Sequence, residues 1–288
     1  MSLYVSTTYF GDGSQVQYAL RDLEKLKIKK IELGSNHSSV KNNKLNLKKN
    51  TKYIVHNYFP PEEKDFILNI ASTRSQVRDK SIAFIKSSII WCQKNDIKFY
   101  TIHPGFFAEA ISPLGYGGQK RNFDLNFDKK SIVLKNRRKT LDETSRIIKH
   151  LYDFANGRTQ LLIENQGSIT SHNFTLFDSY DELKRLKKNV GLKLKFNFNL
   201  AHAYLSGINI TDKKTFLEFY EDSPFFETSE IRSIYDSHLP LKAGNGRILK
   251  LLKEYKSLFR KSNVILEYRN IEAEKLLKSY IFVSEILA

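Results

Sequence analysis

Five short apolar runs in this chain end on a side chain that can bind a metal or carry a proton. They are Tyr53-Ile-Val-His56, Phe99-Tyr-Thr-Ile-His103, Leu161-Leu-Ile-Glu164, Ile231-Arg-Ser-Ile-Tyr-Asp236 and Val264-Ile-Leu-Glu267. A buried strand gains nothing from a terminal imidazole or carboxylate, because burying such a group without a partner is costly. Repetition makes sense when the strand ends converge. In a (β/α)8 barrel the carboxyl ends of all eight strands ring one mouth. The pattern therefore predicts an α/β fold, a single (β/α)8 TIM barrel with a metal site at the C-terminal face of its strands.

The alternation of elements agrees with that expectation. Strands are expected at residues 3–7, 30–33, 53–56, 99–103, 160–164, 192–198, 230–235 and 264–267. Helices are expected at 14–26, 75–95, 140–154, 179–188 with Asp178 as cap, 211–219, 247–259 and 271–287. The second of these places Ile82, Phe84, Ile85, Ile89, Ile90 and Trp91 at helical spacing. Strands alternating with helices argue for parallel pairing and right-handed crossovers. An open doubly wound sheet would gather its ligands at one switch point rather than over most strands. Residues 34–51 are polar and turn-rich, without a clear helix. The connection 104–138, with Pro104-Gly105 and Gly115-Tyr-Gly-Gly118, is long for a structureless segment and reads as a lid or binding loop. No linker interrupts the order, so residues 1–288 are read as one domain.

Composition limits the alternatives. A chain of 288 residues suits a barrel, which typically takes about 250, and 20 Phe with 15 Tyr supply an ample core. No apolar run approaches the roughly 20 residues of a membrane span, and the first residues lead straight into a strand without a signal-peptide pattern. Cys92 is the one cysteine, so an intrachain disulfide is excluded and a reducing cytoplasm is expected. The net charge of +16 invites a nucleic-acid partner. Lysine far outnumbers arginine, however, and abundant Lys, Asn and Ile together fit a general coding bias. Most lysines fall on polar helix faces, as at 21–30 and 184–188. Only 41–49 and 135–139 form basic clusters in expected loops, which places nucleic acid second to a small molecule.

Of the seven histidines, His56, His103, His202 and His238 fall at or just past expected strand ends. His37 follows the second strand closely, while His150 and His172 have surface or capping roles. Imidazoles together with Glu164, Asp236 and Glu267 suit zinc, manganese or iron, whereas an oxygen-only set would suit magnesium or calcium. Glu164 and Glu267 are suited to bridge metals or to act as acid and base, because cations and burial pull carboxylate pKa values in opposite directions.

The local contexts resemble the xylose isomerase-like, endonuclease IV-like barrels. His56-Asn-Tyr-Phe-Pro-Pro followed by Phe66-Ile-Leu-Asn-Ile-Ala-Ser72 is similar to their third-strand region. Residues 81–91 followed by Ile102-His-Pro-Gly-Phe106 resemble the next helix and fourth strand. Glu164-Asn165-Gln-Gly167 is similar to a fifth-strand Glu-Asn motif. Asn199-Leu-Ala-His-Ala203 resembles an Asp-x-x-His-Ala motif with Asn for the acid, and Tyr235-Asp-Ser-His-Leu-Pro240 an Asp-x-His-Leu-Pro segment. Glu267 matches the closing glutamate of the eighth strand.

The resemblance implies a TIM barrel binding divalent metals, with sugar-phosphate isomerases and epimerases at one end of the superfamily and abasic-site endonucleases at the other. It implies one metal site of His56, His103 and Glu164, another of His202, Asp236 and His238, and a central site marked by Glu164, Asn199 and Glu267. Two departures stand out. Asn199 replaces an acid and is expected to keep a carbonyl ligand. Ser233 stands where the nucleases carry a further seventh-strand histidine. These departures set the chain apart from a full three-zinc nuclease.

The leading expectation is thus a metal-dependent sugar or sugar-phosphate isomerase or epimerase, moving a proton through an enediolate with Glu164 and Glu267 as catalytic groups. Zinc or manganese is expected before magnesium. Arg269, Lys242, Arg137 and Arg138 are candidate anion binders, Asn165 a substrate contact, and Tyr58, Phe59 and Phe106 candidate sugar-facing rings. The alternative is an abasic-site DNA phosphodiesterase, favoured by the positive charge and disfavoured by Glu62 and Glu63.

Overall fold

The computed structural model of the chain describes residues 2–39, 45–64, 66–110, 127–128, 136–167, 174–191, 193–232 and 235–288. Eight strands form the barrel: β1 (Ser2–Ser6), β2 (Lys30–Leu33), β3 (Lys52–His56), β4 (Phe99–Ile102), β5 (Gln160–Glu164), β6 (Phe196–Asn199), β7 (Phe225–Thr228) and β8 (Asn263–Leu266). Each pairs in parallel with its sequence neighbours, and β1 closes on β8 through Leu3 opposite Val264 and Tyr4 opposite Ile265. The expected (β/α)8 barrel is the observed fold.

The seventh strand lies earlier than the sequence reading placed it. Phe225–Thr228 joins the barrel between β6 and β8. Residues expected as that strand instead form an antiparallel pair outside it, Glu230–Arg232 against Tyr235–Leu239. The run Ile231 to Asp236 mimics a buried strand by composition, whereas Phe225-Phe226 is short and follows a Ser-Pro pair that reads as a turn. Ser233 lies outside the described residues, as do Gly115–Gly118 (numbers 115–118), residues 41–44 of one basic cluster, and His172.

The helices are α1 (Val16–Lys25), α2 (Ser75–Lys94), α3 (Arg137–Ala155), α4 (Tyr180–Val190), α5 (Leu200–Leu205), α6 (Lys213–Tyr220), α7 (Arg247–Glu254), α8 (Lys256–Phe259) and α9 (Ala273–Leu287). Side chains set several starts: Asn136 accepts from Lys139 N and Ser179 from Glu182 N, while Asp212 accepts from Thr215 N at 2.8 Å. Ser179, not Asp178, caps α4; Asp178 pairs with Arg137 at 3.3 Å. Outward-facing strand residues pack on this helical layer, for example Phe198 stacked on Phe219 of α6 at 4.8 Å. Phe216 of α6 stacks on Tyr255 at 4.3 Å. Among the described residues no helix is long and apolar enough to cross a membrane, and residues 34–39 and 45–51 carry no helix. Cys92 is buried and free.

Candidate metal centre at the barrel mouth

Strand side chains alternate between faces with a period of two, and that period builds the mouth. Tyr4, Ile54, Leu162, Phe225 and Ile265 form an apolar cluster of their own inside the barrel, with Phe99 packed against it. Two residues further along the same strands, on the same face, stand Ser6, His56, Glu164, Glu227, Glu267 and Thr101, all buried. The floor is hydrocarbon; the layer above it carries acids, imidazoles and hydroxyls.

Three sets of potential ligands meet there. In the first, the Nε2 atoms of His56 and His103 reach the same oxygen, Glu164 Oε2, at 2.7 and 2.8 Å. The two rings lie 5.0 Å apart, and His56 Nδ1 stands 3.0 Å from Ser35 Oγ. In the second, Asp236 Oδ2 lies 2.8 Å from His202 Nε2 and 2.9 Å from His238 Nε2. His202 Nδ1 donates to the Asn165 carbonyl at 2.9 Å, which leaves Nε2 as its ligand atom. Gly167 allows this ring its place, since a Cβ there would stand 3.1 Å from His202 Cδ2. The third set is Glu164, Glu227 and Glu267, with one oxygen of each within 4.8 Å of the others.

Charge and burial oppose each other throughout. Burial pushes Glu164 up, but His103 and His56 more than offset it and hold the carboxyl well below the usual range. Burial disfavours the cationic form of His56, yet Glu164 outweighs it and lifts the imidazole to about 9. For His103 burial wins over Glu164, and its pKa falls. Asp236 is held low by His238 and His202 against burial. His238 rises to about 9, burial and Arg269 opposing, Asp236 and Glu267 prevailing. Glu267 falls to about 2 because His238 overcomes burial. Glu227 goes the other way, pushed well up by burial and then by Glu164, Glu32 and Glu267.

The structure brings His56, His103, Glu164, His202, Asp236, His238 and Glu267 together at one mouth. Asn199 is beside them with a task different from the expected one. Its Oδ1 caps α5 by accepting from His202 N at 3.1 Å. That fixes the amide orientation and turns Nδ2 toward the acids, donating to Glu164 Oε1 and Glu227 Oε2 at 3.1 Å each. Asn199 therefore offers the centre a donor rather than a carbonyl ligand. Asn165 is likewise spent on structure: Oδ1 accepts from Asn199 N and Nδ2 donates to Asn199 O.

Other expectations need correction. Tyr58 is wholly buried and stacks on Phe84 of α2 at 4.6 Å, so it belongs to the outer core rather than to a substrate surface. Phe59 lies edge-on to Trp91 in the same layer, and Phe106 is buried in a bridge to Thr175. Arg137 sits in the first turn of α3, bonded to Glu182 and Asp178. Lys242 is exposed in the loop before α7. Arg269 stays close to the centre, its N–H donating to the His238 carbonyl at 3.2 Å.

Sequence reasoning missed Glu227 and Glu32. Glu227 ends a Phe-Phe-Glu run of the same kind as the other strand ends, and correct placement of β7 would have found it. Glu32 lies within Lys30-Ile-Glu-Leu33, where the acid precedes the last apolar residue and escaped the pattern. Burial lifts Glu32 to about 7, with His56 opposing and Glu267 adding to the lift. Neither of its oxygens meets a donor in strict hydrogen-bonding geometry, although Ser6 and Glu227 both stand beside it.

The donor chemistry fits divalent cations. Two His-carboxylate-His sets and a carboxylate trio occur within one buried layer, and Asp236 Oδ1 lacks a hydrogen-bond donor. Buried like charges at such spacing need a counter-charge.

The closed parallel barrel superposes on solved structures of sugar epimerases and related proteins. A solved structure of a D-tagatose 3-epimerase-like protein superposes with TM-score 0.70 over 100% of both chains at 17% identity. An L-ribulose 3-epimerase gives 0.67 at 8% identity, over 99% of this chain and 94% of that one. An IolI protein with a bound zinc atom gives 0.65 at 11%, over 100% and 98%. At these identities the likeness establishes the fold. In sequence, the chain is 24% identical over 189 residues to a probable endonuclease 4 of Thermotoga petrophila, covering 63% of this chain. It spans 55% of the length of that relative and 59% of a second probable endonuclease 4, from Aquifex aeolicus. An uncharacterized protein of Methanocaldococcus jannaschii is 24% identical over 94% of each chain. No family model matches the chain.

Proposed function

We propose that residues 1–288 form one domain that acts as a metal-dependent isomerase or epimerase of a small sugar or sugar phosphate. The carrying observation is the convergence of Glu164 and Glu267 from strands three places apart around the barrel, each with an oxygen within 4.8 Å of the other's. Both are held ionised against burial by imidazoles, so both are ready to accept a proton at neutral pH. One of them removes the proton beside the substrate carbonyl and, then protonated, returns it at another position of the resulting enediolate, ending as the carboxylate it began as. A bound zinc or manganese ion supplies polarisation of the carbonyl and a counter-charge for the enediolate. His56 and His103 hold Glu164 in place, and the Asn199 amide ties it to Glu227. The floor of Phe225, Ile265 and Leu162 closes the site from below and excludes water. The lone buried Cys92 suits a reducing compartment, and the proposal places the enzyme in the cytoplasm.

The test is solvent exchange. Ketoses and ketose phosphates incubated in heavy water with metal-loaded protein should gain deuterium beside the carbonyl. Chelator, Glu164→Gln and Glu267→Gln should each abolish the gain. Absence of exchange with every sugar tried overturns the reading.

A second reading is an abasic-site phosphodiesterase. It is favoured by the two His-carboxylate-His sets, which proton transfer between two carbons does not call upon, and by the endonuclease relatives. Glu227, at the end of β7, supplies an acid on the strand where Ser233 was expected to leave a gap. Chelator-sensitive cleavage of an abasic-site oligonucleotide, without deuterium exchange into sugars, selects it.

A further inference from the structure

Among the described residues every barrel strand but β2 is followed by a helix; between Leu33 and Lys52 there is none. In a (β/α)8 barrel the helices form an outer ring around the strands, so a connection without one leaves outward strand surface to be covered otherwise. The gap shows on both sides. α1 turns Gln17, Leu20, Arg21 and Glu24, one helical face at spacings of three and four, toward a cavity of about 1140 Å3. α2 turns Phe84, Ser87, Ser88 and Trp91, again one face, toward a second of about 720 Å3 that Ser39 borders.

The larger cavity is a groove with an apolar floor and a basic rim. Ile28 and Ile31 are buried beneath it, and Leu20, Leu45 and Tyr53 are half-buried along it. The rim carries Arg21, Lys27, Lys29, Lys48 and Lys49 against one carboxylate, Glu24, which Lys48 already binds. Arg21, Lys27, Lys29 and Lys49 are exposed and enter no ion pair among the described residues. Lys27 and Lys29 precede β2 and Lys49 precedes β3. The groove therefore opens on the outer wall toward the amino ends of the strands, away from the acids and imidazoles at the carboxyl ends.

We propose that this groove docks an amphipathic helix of another protein, one whose apolar ridge is flanked by Asp and Glu, lying where the barrel lacks a helix of its own. The volume exceeds the roughly 300–1,000 Å3 of small-molecule pockets. A helix with leucines at i, i+3 or i+4, and i+7 buries its ridge on such a floor, here on Leu20, Ile31, Leu45 and Tyr53, and its acids meet the four unpaired cations. A second copy of this chain does not complement the rim, since it carries the same net charge of +16. A nucleic acid matches the cations but leaves the aliphatic floor without a counterpart, because protein–nucleic acid interfaces are polar.

The test uses the full chain and a fluorescein-labelled synthetic peptide of about 18 residues, long enough to form a helix, with Leu along one face and Glu on the others. Fluorescence anisotropy should show binding, weakened about 10-fold or more when the peptide carries Lys for Glu or Ser for Leu. Hydrogen exchange of the wild-type chain should slow on peptide binding within residues 17–31 and 45–53. A variant combining Arg21→Glu, Lys29→Glu and Lys49→Glu, checked by circular dichroism, should bind about 10-fold more weakly and lose the salt dependence. No binding, protection elsewhere, equal binding of the leucine-free peptide, or unchanged affinity in the folded variant each overturns the proposal. An oligonucleotide that protects the same segments more tightly than the peptide makes this a nucleic-acid groove, and self-association that the variant abolishes makes it an interface between copies; either result also overturns it. The exchange map needs no variant, so it decides the matter even where the triple substitution fails to fold. None of these readouts involves metal or turnover, so the outcome is separate from that of the sugar-isomerase reading.

Discussion

The side-chain amide of Asn165 closes on the peptide of Asn199 from both sides, Oδ1 accepting its N–H at 2.7 Å and Nδ2 donating to its C=O at 2.9 Å. This continues the β5–β6 ladder past its last pair, Glu164 opposite Asn197. It also fixes where α5 begins, and with it His202.

Asn165→Leu should therefore leave a buried N–H and C=O without partners. The expected loss of stability is about 2–4 kcal/mol, read as a lower urea midpoint with unchanged slope. Asn165→Asp keeps the acceptor and loses the donor, and should fall between. A leucine variant as stable as the wild type would show that the clamp contributes nothing.

Ser35 is expected to act through His56. With Oγ 3.0 Å from Nδ1, it sets the ring orientation that presents Nε2 to the centre. Ser35→Ala should weaken zinc binding by about 10–100-fold, measured by competition with a chromophoric chelator. Because the hydroxyl is small, the unfolding midpoint of the metal-free protein should shift much less than the affinity. Equal zinc affinity in variant and wild type would remove Ser35 from the site.

Glu32 gives a pH dependence of definite sign. Its folded pKa is raised from 4.5 to about 7, so the folded protein holds a proton that the unfolded chain releases. Stability of the metal-free protein should then decline as pH rises from about 4.5 and level off above about 7. Glu32→Gln should match the wild type near pH 4 and exceed it at pH 8, by on the order of 3 kcal/mol. Parallel stability curves would mean that Glu32 ionises without penalty.

Metal removal should lower the stability of the folded protein. Chelator leaves Glu227, Glu32 and their neighbours to repel one another, so the melting temperature should fall and be restored by added metal. At ligand about 100 times Kd, each site contributes roughly 2.7 kcal/mol. Because imidazolium must lose its proton to bind, restoration should strengthen as pH rises toward 9, where His56 and His238 titrate. Restoration that does not change with pH would argue against these histidines as ligands.

The barrel was legible because seven of its strands announce themselves by short apolar runs of the right spacing, and the eighth failed for a local reason. Phe225-Phe226 is brief and follows Pro224, while the excursion Glu230–Leu239 is longer and equally apolar. His56, His103, Glu164, Asp236 and Glu267 were visible because each ends a run, and His202 and His238 because each stands just past an expected strand end. Glu32 was not, since an acid inside an apolar strand gives no terminal signal. The work of Asn199 was invisible for a different reason: an amide offers either a donor or an acceptor to the centre, and only the cap on His202 N decides which. Tyr58 shows the converse error, an aromatic near a motif whose ring turns outward to Phe84.

The layer of Tyr4, Ile54, Leu162, Phe225 and Ile265 beneath the polar ring has a consequence for how such a protein changes over time. Hydrocarbon below supplies cohesion, while the residue two places on can be exchanged without disturbing it. New chemistry can thus be installed strand by strand, as a keyboard is retuned one string at a time over an unaltered frame.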